Sequence, residues 1–332
     1  MGPAAQATDE LIRRAWSALG GEPELLGLVE VTGDARGLLP SLLPALPAMV
    51  AAAAASTLAA SVLDATRRTA RPGPVLLDVE HVALAARSER HVRGAGAPTA
   101  DLFTPLSRFW RTADGWLRLH ANYTWHRDRA LAVLGCDGRI EAMEEAISGW
   151  RAEELEDALA AAGAVGYAVR SPRQWRDHPQ GRALAASPLV HSAAGQESGR
   201  SFPDGAGATG VRVLDLTRVI AGPVATRTLA AWGAEVLRLD SPHLPEIPAQ
   251  ALDMLSGKRS ATLDFSSPDG RTRLEELLAE ADVLVQGYRP GALARHGLAP
   301  DALAERHPHL SVVTLSAWER PDRGRHGAVS IR

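Results

Sequence analysis

Cysteine is nearly absent from this 332-residue chain, with Cys136 standing alone. One thiol cannot close an internal disulfide, which excludes a disulfide-stapled scaffold and makes a reducing cytoplasm the simplest setting. An excess of charge is missing too. The 36 basic and 39 acidic residues leave a net charge of -3, so bulk electrostatics give no case for a nucleic-acid partner. The basic residues are almost all arginine, spread without a run of one sign. Residues 1–9 lack a basic segment followed by an apolar one, so no signal peptide is read. From Leu38 to Leu63 there is no charged side chain at all, a stretch long enough to cross a bilayer. Pro40, Pro44 and Pro47 interrupt its first third, and the rest is mostly alanine, a weak lipid-phase residue. A buried helix is the preferred reading, with no membrane partner.

What is present is close to average: 45% hydrophobic and 23% charged residues, enough for two domains with real cores. Residues 1–191 read as a mainly helical α+β part. A helix is expected from Pro47 to Arg67 or Arg68, stopped by Arg71-Pro-Gly-Pro74, then a strand from Val75 to Val79. A turn at Thr112–Gly115 feeds a strand at Trp116–Leu119, and Arg151–Ala162 is an amphipathic helix ended by Gly163. Residues 192–210 are rich in Gly, Ala and Ser and read as a flexible linker. Gly205-Ala-Gly-Ala-Thr-Gly210 fits the dinucleotide pattern GxGxxG. However, that pattern works after a strand and at a helix start, and here it precedes a strand.

Residues 211–318 form an α/β block, expected to be a Rossmann-like parallel sheet. Strands are expected at Val211–Leu216, Glu235–Leu239, Ala261–Phe265, Val283–Gln286 and Leu310–Ser316. Helices are expected at Gly222–Ala231 and Pro268–Glu280, with short ones near Ala292 and Ala302. Such alternation argues for right-handed βαβ units. Ala221-Gly222-Pro223 sits where a strand gives way to a helix, a position that suits a phosphate or carboxylate, although tight turns favour Gly and Pro anyway. Lys258 and Arg259 could hold phosphate or form a solvated pair. In Gln286-Gly-Tyr-Arg-Pro-Gly291, Tyr288 could stack on a base and Arg289 could meet a phosphate. All three turns are expected at the carboxyl edge of the sheet, where open α/β folds bind ligands. His307-Pro-His309, and His120 with His126, lack the partners of a metal set, so no metal site is expected. Cys136 reads as a small buried residue.

Val213-Leu-Asp-Leu-Thr-Arg-Val-Ile-Ala-Gly-Pro223 with Trp232-Gly-Ala-Glu-Val236 resembles the opening of the family III CoA-transferases. That family includes formyl-CoA, carnitine and bile-acid CoA-transferases and α-methylacyl-CoA racemase. Gly257-Lys-Arg-Ser260, Ala281-Asp-Val283, Tyr288-Arg-Pro-Gly291, Gly297-Leu298 and Pro308–Ser316 continue the resemblance in order. It implies transfer of CoA between an acyl-CoA and a carboxylic acid, with CoA as substrate and no permanently bound cofactor. Val219, Ile220 and Ala221 would line the adenine end and Lys258 and Arg259 the phosphates, with Tyr288 and Gly291 beside them; Gly222 and Arg289 complete the expected CoA-binding set. The family's Gly-Asp and nearby Arg after the second strand are replaced here by Ser241-Pro-His-Leu-Pro-Glu246. Family members are interlocked dimers, which makes a homodimer an expectation.

Residues before 191 resemble the later portion of the same family, at Thr112–Gly115, Trp125, Leu134-Gly135, Ala162–Val169 and His178–Arg182. The order suggests a fused or permuted pair of units. Family enzymes form an acyl-aspartyl anhydride, for which a carboxylate suits because anhydride and thioester are similarly activated. No Asp or Glu lies between Gly37 and Leu63, where the first unit should carry that residue. In the second unit it is expected beyond Arg332. The tail, residues 319–332, departs from the family pattern after Trp318 and reads as a frameshifted end of a longer gene. The rival expectation is therefore a truncated, catalytically inactive acyl-CoA-binding or interaction protein.

Overall fold

The computed structural model describes residues 3–34, 37–93, 103–193, 204–317 and 328–331. Most of the expected linker (194–203) and of the tail (318–327 and 332) lies outside them. Two compact units result, one from residues 1–96 with 187–332 and one from 97–186. The units thus divide the chain differently from the family segments drawn at 191 and 211.

The first segment contains α1 (Pro3–Ala18), β1 (Val29–Thr32), α2 (Ala45–Arg67), β2 (Val75–Asp78) and α3 (Val79–Ala85). The two strands pair in parallel, from Val29 opposite Val75 to Thr32 opposite Asp78. The charge-free stretch becomes α2, which buries Leu46, Val50, Ala51, Ala54, Ala55 and Leu58. Leu58 and Ala55 meet Trp16 of α1 and Val75 of β2, while Ala51 and Ala54 meet Ile12. By length and composition α2 is the one helix among the described residues that could span a membrane. It starts at Ala45 with Pro47 in its first turn, where a missing N–H costs nothing.

The 97–186 unit holds β3 (Phe109–Arg111), β4 (Trp116–Leu119), α4 (Thr124–Leu134), α5 (Ile140–Ser148), α6 (Ala152–Ala161), β5 (Gly166–Ala168), α7 (Pro172–Asp177) and α8 (Pro179–Ala185). Its strands form an antiparallel sheet in the order β3-β4-β5. Trp110, Leu117, Leu119, Met143, Ile147, Leu155 and Leu159 make its core. Gly163, at φ 72°, stops α6 as its sequence position predicts.

The remaining segment carries β6 (Val190–His191), β7 (Arg212–Asp215), α9 (Ala221–Ala231), β8 (Glu235–Asp240), α10 (Pro248–Met254), β9 (Arg259–Thr262), α11 (Pro268–Glu280), β10 (Val283–Gln286), α12 (Pro300–Arg306), β11 (Ser311–Leu315) and β12 (Ala328–Ile331). They build one sheet in the order β6-β12-β11-β10-β7-β8-β9. All neighbours from β12 to β9 are parallel, and β6 is antiparallel to β12. The apolar runs of β7 and β10 fit strands covered on both faces, with Leu214, Leu216, Leu239, Leu274, Leu278 and Leu284 in the main core. The helix α11 is started by Ser267, whose hydroxyl accepts from the Gly270 N–H at 3.0 Å.

Three local expectations are corrected. The third strand of the block runs from Arg259 to Thr262 and not from Ala261 to Phe265, because Leu263 and Phe265 leave the sheet to pack on the core beside α11. Residues 328–331 add a strand within the tail, parallel to β11. The described part of the linker is packed: Ala208 is buried, and the Gly207 N–H donates to Asp64 Oδ1 at 2.8 Å.

Candidate functional site

The chain turns sharply between β7 and α9. Val219 there has φ 67°, a left-handed backbone that a β-branched residue adopts only under strain. Gly222 follows at the start of α9, and a Cβ on it would lie 2.3 Å from Thr217 Cβ, so no side chain fits. What holds the bend is a fully buried ion pair beneath it. Lys258 Nζ donates to Asp215 Oδ2 at 2.9 Å, to the Pro223 carbonyl at 2.9 Å and to Thr226 Oγ1 at 2.6 Å. Neither charged side chain is exposed at all. Asp215 Oδ1 also accepts from the Thr217 N–H and hydroxyl, at 2.9 and 2.5 Å, and Thr226 Oγ1 donates to Oδ2 at 2.5 Å. Burial pulls the Lys258 ammonium below the usual lysine range, while the charge of Asp215 works the other way. With every N–H of the ammonium filled and four bonds on the carboxylate, the pair meets the condition under which two buried charges persist.

Beside the bend lies a second polar cluster, built by the loop after β8. Arg218 donates to the carbonyls of Leu244 and Pro245, the latter at 3.0 Å. Glu246 Oε2 accepts from the Val219 N–H at 3.3 Å and from Arg238 at 3.1 Å, and its Oε1 stands 3.7 Å from Arg218. Arg238 also grips Asp240 at 2.8 Å. Tyr288 meets Arg218 from the loop after β10, and burial raises its phenol above the ordinary value. At the rim, Asp264 Oδ1 accepts from Ser266 at 2.6 Å and Oδ2 faces His243 at 3.2 Å. The Ser266 bonds and then His243 hold its carboxyl down to about 2.

The residues expected from sequence separate into three groups. Val219, Ile220, Ala221 and Gly222 lie on the loop after β7, and Tyr288, Arg289 and Gly291 on the loop after its neighbour β10. These are brought together at the carboxyl edge. Arg289 is exposed and its guanidinium has no partner among the described residues, and a cavity of about 30 Å³ beside it has room for roughly one water. Lys258 is a correction. Its amine lies under the bend with all donors used, so it shapes the turn instead of offering a charge to solvent. Arg259 is another. It opens β9, and its guanidinium lies 3.6 Å from Glu235, the first residue of β8, at the opposite edge of the sheet. There it borders an open hollow of about 280 Å³ with Arg212 and Glu280. Sequence reasoning missed Arg218, Arg238 and Glu246. The sole signal was that Ser241–Glu246 departs from the expected pattern.

Comparison with known proteins agrees with the resemblance. Residues 209–328 match the family model described as CoA-transferase family III, so the match runs ten residues past Trp318. An acyl-CoA transferase of Gibberella moniliformis is 35% identical over 231 residues, covering 63% of this chain and 40% of its own. A formyl-CoA:oxalate CoA-transferase of Streptomyces coelicolor is 37% identical over 120 residues, covering 33% of this chain and 29% of its own. A probable fatty acyl-CoA transferase of Mycobacterium tuberculosis is 35% identical over 132 residues, covering 36% and 33% respectively. The chain thus spans 40% or less of the length of these relatives. The Gibberella alignment covers more of the chain than the family model does, so it extends beyond 209–328. Residues 209–328 are thus similar to CoA-transferase family III.

Proposed function

We propose that the crevice between the loops after β7 and β10 binds CoA or an acyl-CoA. On this reading the protein takes part in moving CoA between an acyl-CoA and a carboxylic acid. The observation that carries it is the strand order. Reading outward from β7, the sheet runs to β8 and β9 on one side and to β10, β11 and β12 on the other. The chain reverses its direction of winding between β7 and β10, and in open α/β sheets the crevice at that switch point, outside the carboxyl ends, receives the ligand.

The residues there suit the parts of CoA. The bend at Val219–Gly222 brings the exposed Ile220 and Ala221 to the crevice, while the buried Gly222 lets the turn close on Thr217. Tyr288 offers a ring face for adenine, and Arg289 a guanidinium that can grip phosphate with two N–H groups. Lys258 acts at one remove, by fixing the turn. Asp215 is no candidate for the nucleophile, since it is fully buried and accepts four hydrogen bonds. The acyl-aspartyl step implied by the family resemblance is assigned to no carboxylate among the described residues. CoA enters as a substrate, and a homodimer remains part of the same proposal.

Thermal-shift titration of the purified chain with CoA and with NAD tests the reading. CoA at a hundred times its Kd should add about 2.7 kcal/mol of stability, and Arg289→Ala should weaken that gain. Stabilisation by NAD without stabilisation by CoA would overturn it.

A further inference from the structure

Glu246 makes contacts that an anionic ligand would make. Its carboxylate accepts the N–H of the strained Val219 at 3.3 Å and Arg238 at 3.1 Å, and stands 3.7 Å from Arg218. The three donors come from two different strand ends, the bend after β7 and the last half of β8. Arg218 is 13% exposed and Arg238 only 1%. Two guanidiniums so withdrawn from water need anions, and Asp240 supplies one carboxylate to Arg238. Glu246 supplies the other from a loop, 241–247, which Arg218 also holds through two carbonyls and which His243 ties to Asp264 at 3.2 Å. The corner therefore has two cations against two anions, and one of those anions sits on a loop.

We propose that Arg218, Arg238 and the Val219 amide form a phosphate subsite which the chain's own Glu246 fills, and that a phosphate group of the bound ligand takes its place. This rests on the CoA reading above and adds to it the atoms that receive a phosphate and the group that must leave. The exchange keeps the corner neutral, because one anion replaces another. It also links binding to a movement of loop 241–247, since a departing carboxylate has to draw residues 244–246 with it. Tyr288, which meets Arg218 from the other side of the crevice, lies where the bound phosphate would be reported to the base-stacking end. The substituted Ser241–Glu246 segment thus supplies an internal competitor in place of a phosphate donor.

The test uses the full chain and its Glu246→Gln variant, with CoA and inorganic pyrophosphate as separate probes in calorimetric titrations. The amide retains an acceptor for Arg238 but withdraws the competing charge. CoA and pyrophosphate should both bind about tenfold more tightly to Glu246→Gln, a change of about 1.4 kcal/mol. Arg218→Gln, a second variant, should lose affinity for both. Unchanged or weaker binding of both probes by a folded Glu246→Gln protein would overturn the subsite and assign Glu246 an anchoring role. If neither protein binds CoA but Glu246→Gln gains affinity for pyrophosphate, the CoA reading falls and the subsite stands. Should Glu246→Gln fail to fold, Arg218→Gln decides: unchanged affinity for pyrophosphate overturns the proposal.

Discussion

Lys258 is the single lysine of the chain, and it is fully buried against Asp215. Replacing it by methionine keeps the aliphatic stem and removes only the ammonium. Asp215 would then be left with the Thr217 and Thr226 donors and no charged hydrogen-bond partner, while the Pro223 carbonyl would lose its donor at 2.9 Å. Breaking a buried pair from one side costs about 3–5 kcal/mol, chiefly through the uncompensated partner. For a chain of this size each kcal/mol lowers Tm by roughly 2–4 °C, so a fall of about 6–20 °C is expected. Denaturant titration of Lys258→Met measures the loss directly. The double variant Lys258→Met with Asp215→Asn should be less damaged than the two single losses summed, because the unpaired charge is gone. The geometry has a chemical signature as well. An amine-specific reagent should leave Lys258 unmodified in the folded chain and modify it after unfolding, as read by mass spectrometry. A loss below about 1 kcal/mol, or prompt modification of Lys258 in the native protein, would refute the buried pair and with it the account of the rigid turn.

Three further outcomes are expected. Gly222→Ala forces a methyl group to within 2.3 Å of Thr217 Cβ, and overpacking of this kind costs about 1–3 kcal/mol in a chemical melt; no loss would mean that the turn is looser than described. The Asp264 carboxyl lies at about 2, below its ordinary 3.8, so its stabilising contribution is complete above 3.8 and disappears as pH falls through about 2. Asp264→Asn should flatten that part of an acid-denaturation curve, and an unchanged curve would contradict the His243 and Ser266 contacts. Tyr288 is one of three tyrosines, and burial raises its pKa. An ultraviolet titration should show a component ionising later than pH 10 that is absent from Tyr288→Phe. Since the folded state holds that proton longer, stability should decline as pH rises above 10.

The elements that announced themselves in sequence are those with a local cause. α11 begins at Ser267-Pro268 and β10 is an unbroken apolar run, so both fall where the pattern puts them. The turn Ala221-Gly222-Pro223 was equally readable, because Gly and Pro state their backbone needs on the spot. β9 was misplaced for the converse reason. As an edge strand all four of its residues are exposed, so it lacks the alternation that marks a strand, and the apolar Leu263 and Phe265 drew the boundary onward. The burial of Lys258 had no local sign at all. Its partner Asp215 lies 43 positions away, and a Lys-Arg pair before a strand looks alike whether it turns inward or out. Arg259 was assigned to the carboxyl edge by analogy with its neighbours, yet a residue that opens a parallel strand stands at the amino edge. Glu246 escaped notice because its value comes from the two arginines it joins.

The larger unit is assembled from stretches far apart in the chain, and this sets the order in which it can fold. Arg67 Nη1 donates to the carbonyls of Gly207 and Thr209, each at 2.8 Å, across 140 and 142 positions. Residues 97–186 lie between these partners and form a unit of their own. On a ribosome that inserted unit emerges whole before the segments flanking it can meet. Closing so long a loop costs only about 0.6 kcal/mol for each doubling in length, but contacts of such range slow folding markedly. During that delay α2 already has α1, β2 and α3 to pack against, and its last turn, at Asp64 and Arg67, waits for residues 207–209. The bonds from Arg67 to residues 207 and 209 therefore form only after the inserted unit is made, and they tie the end of α2 to the segment that follows it.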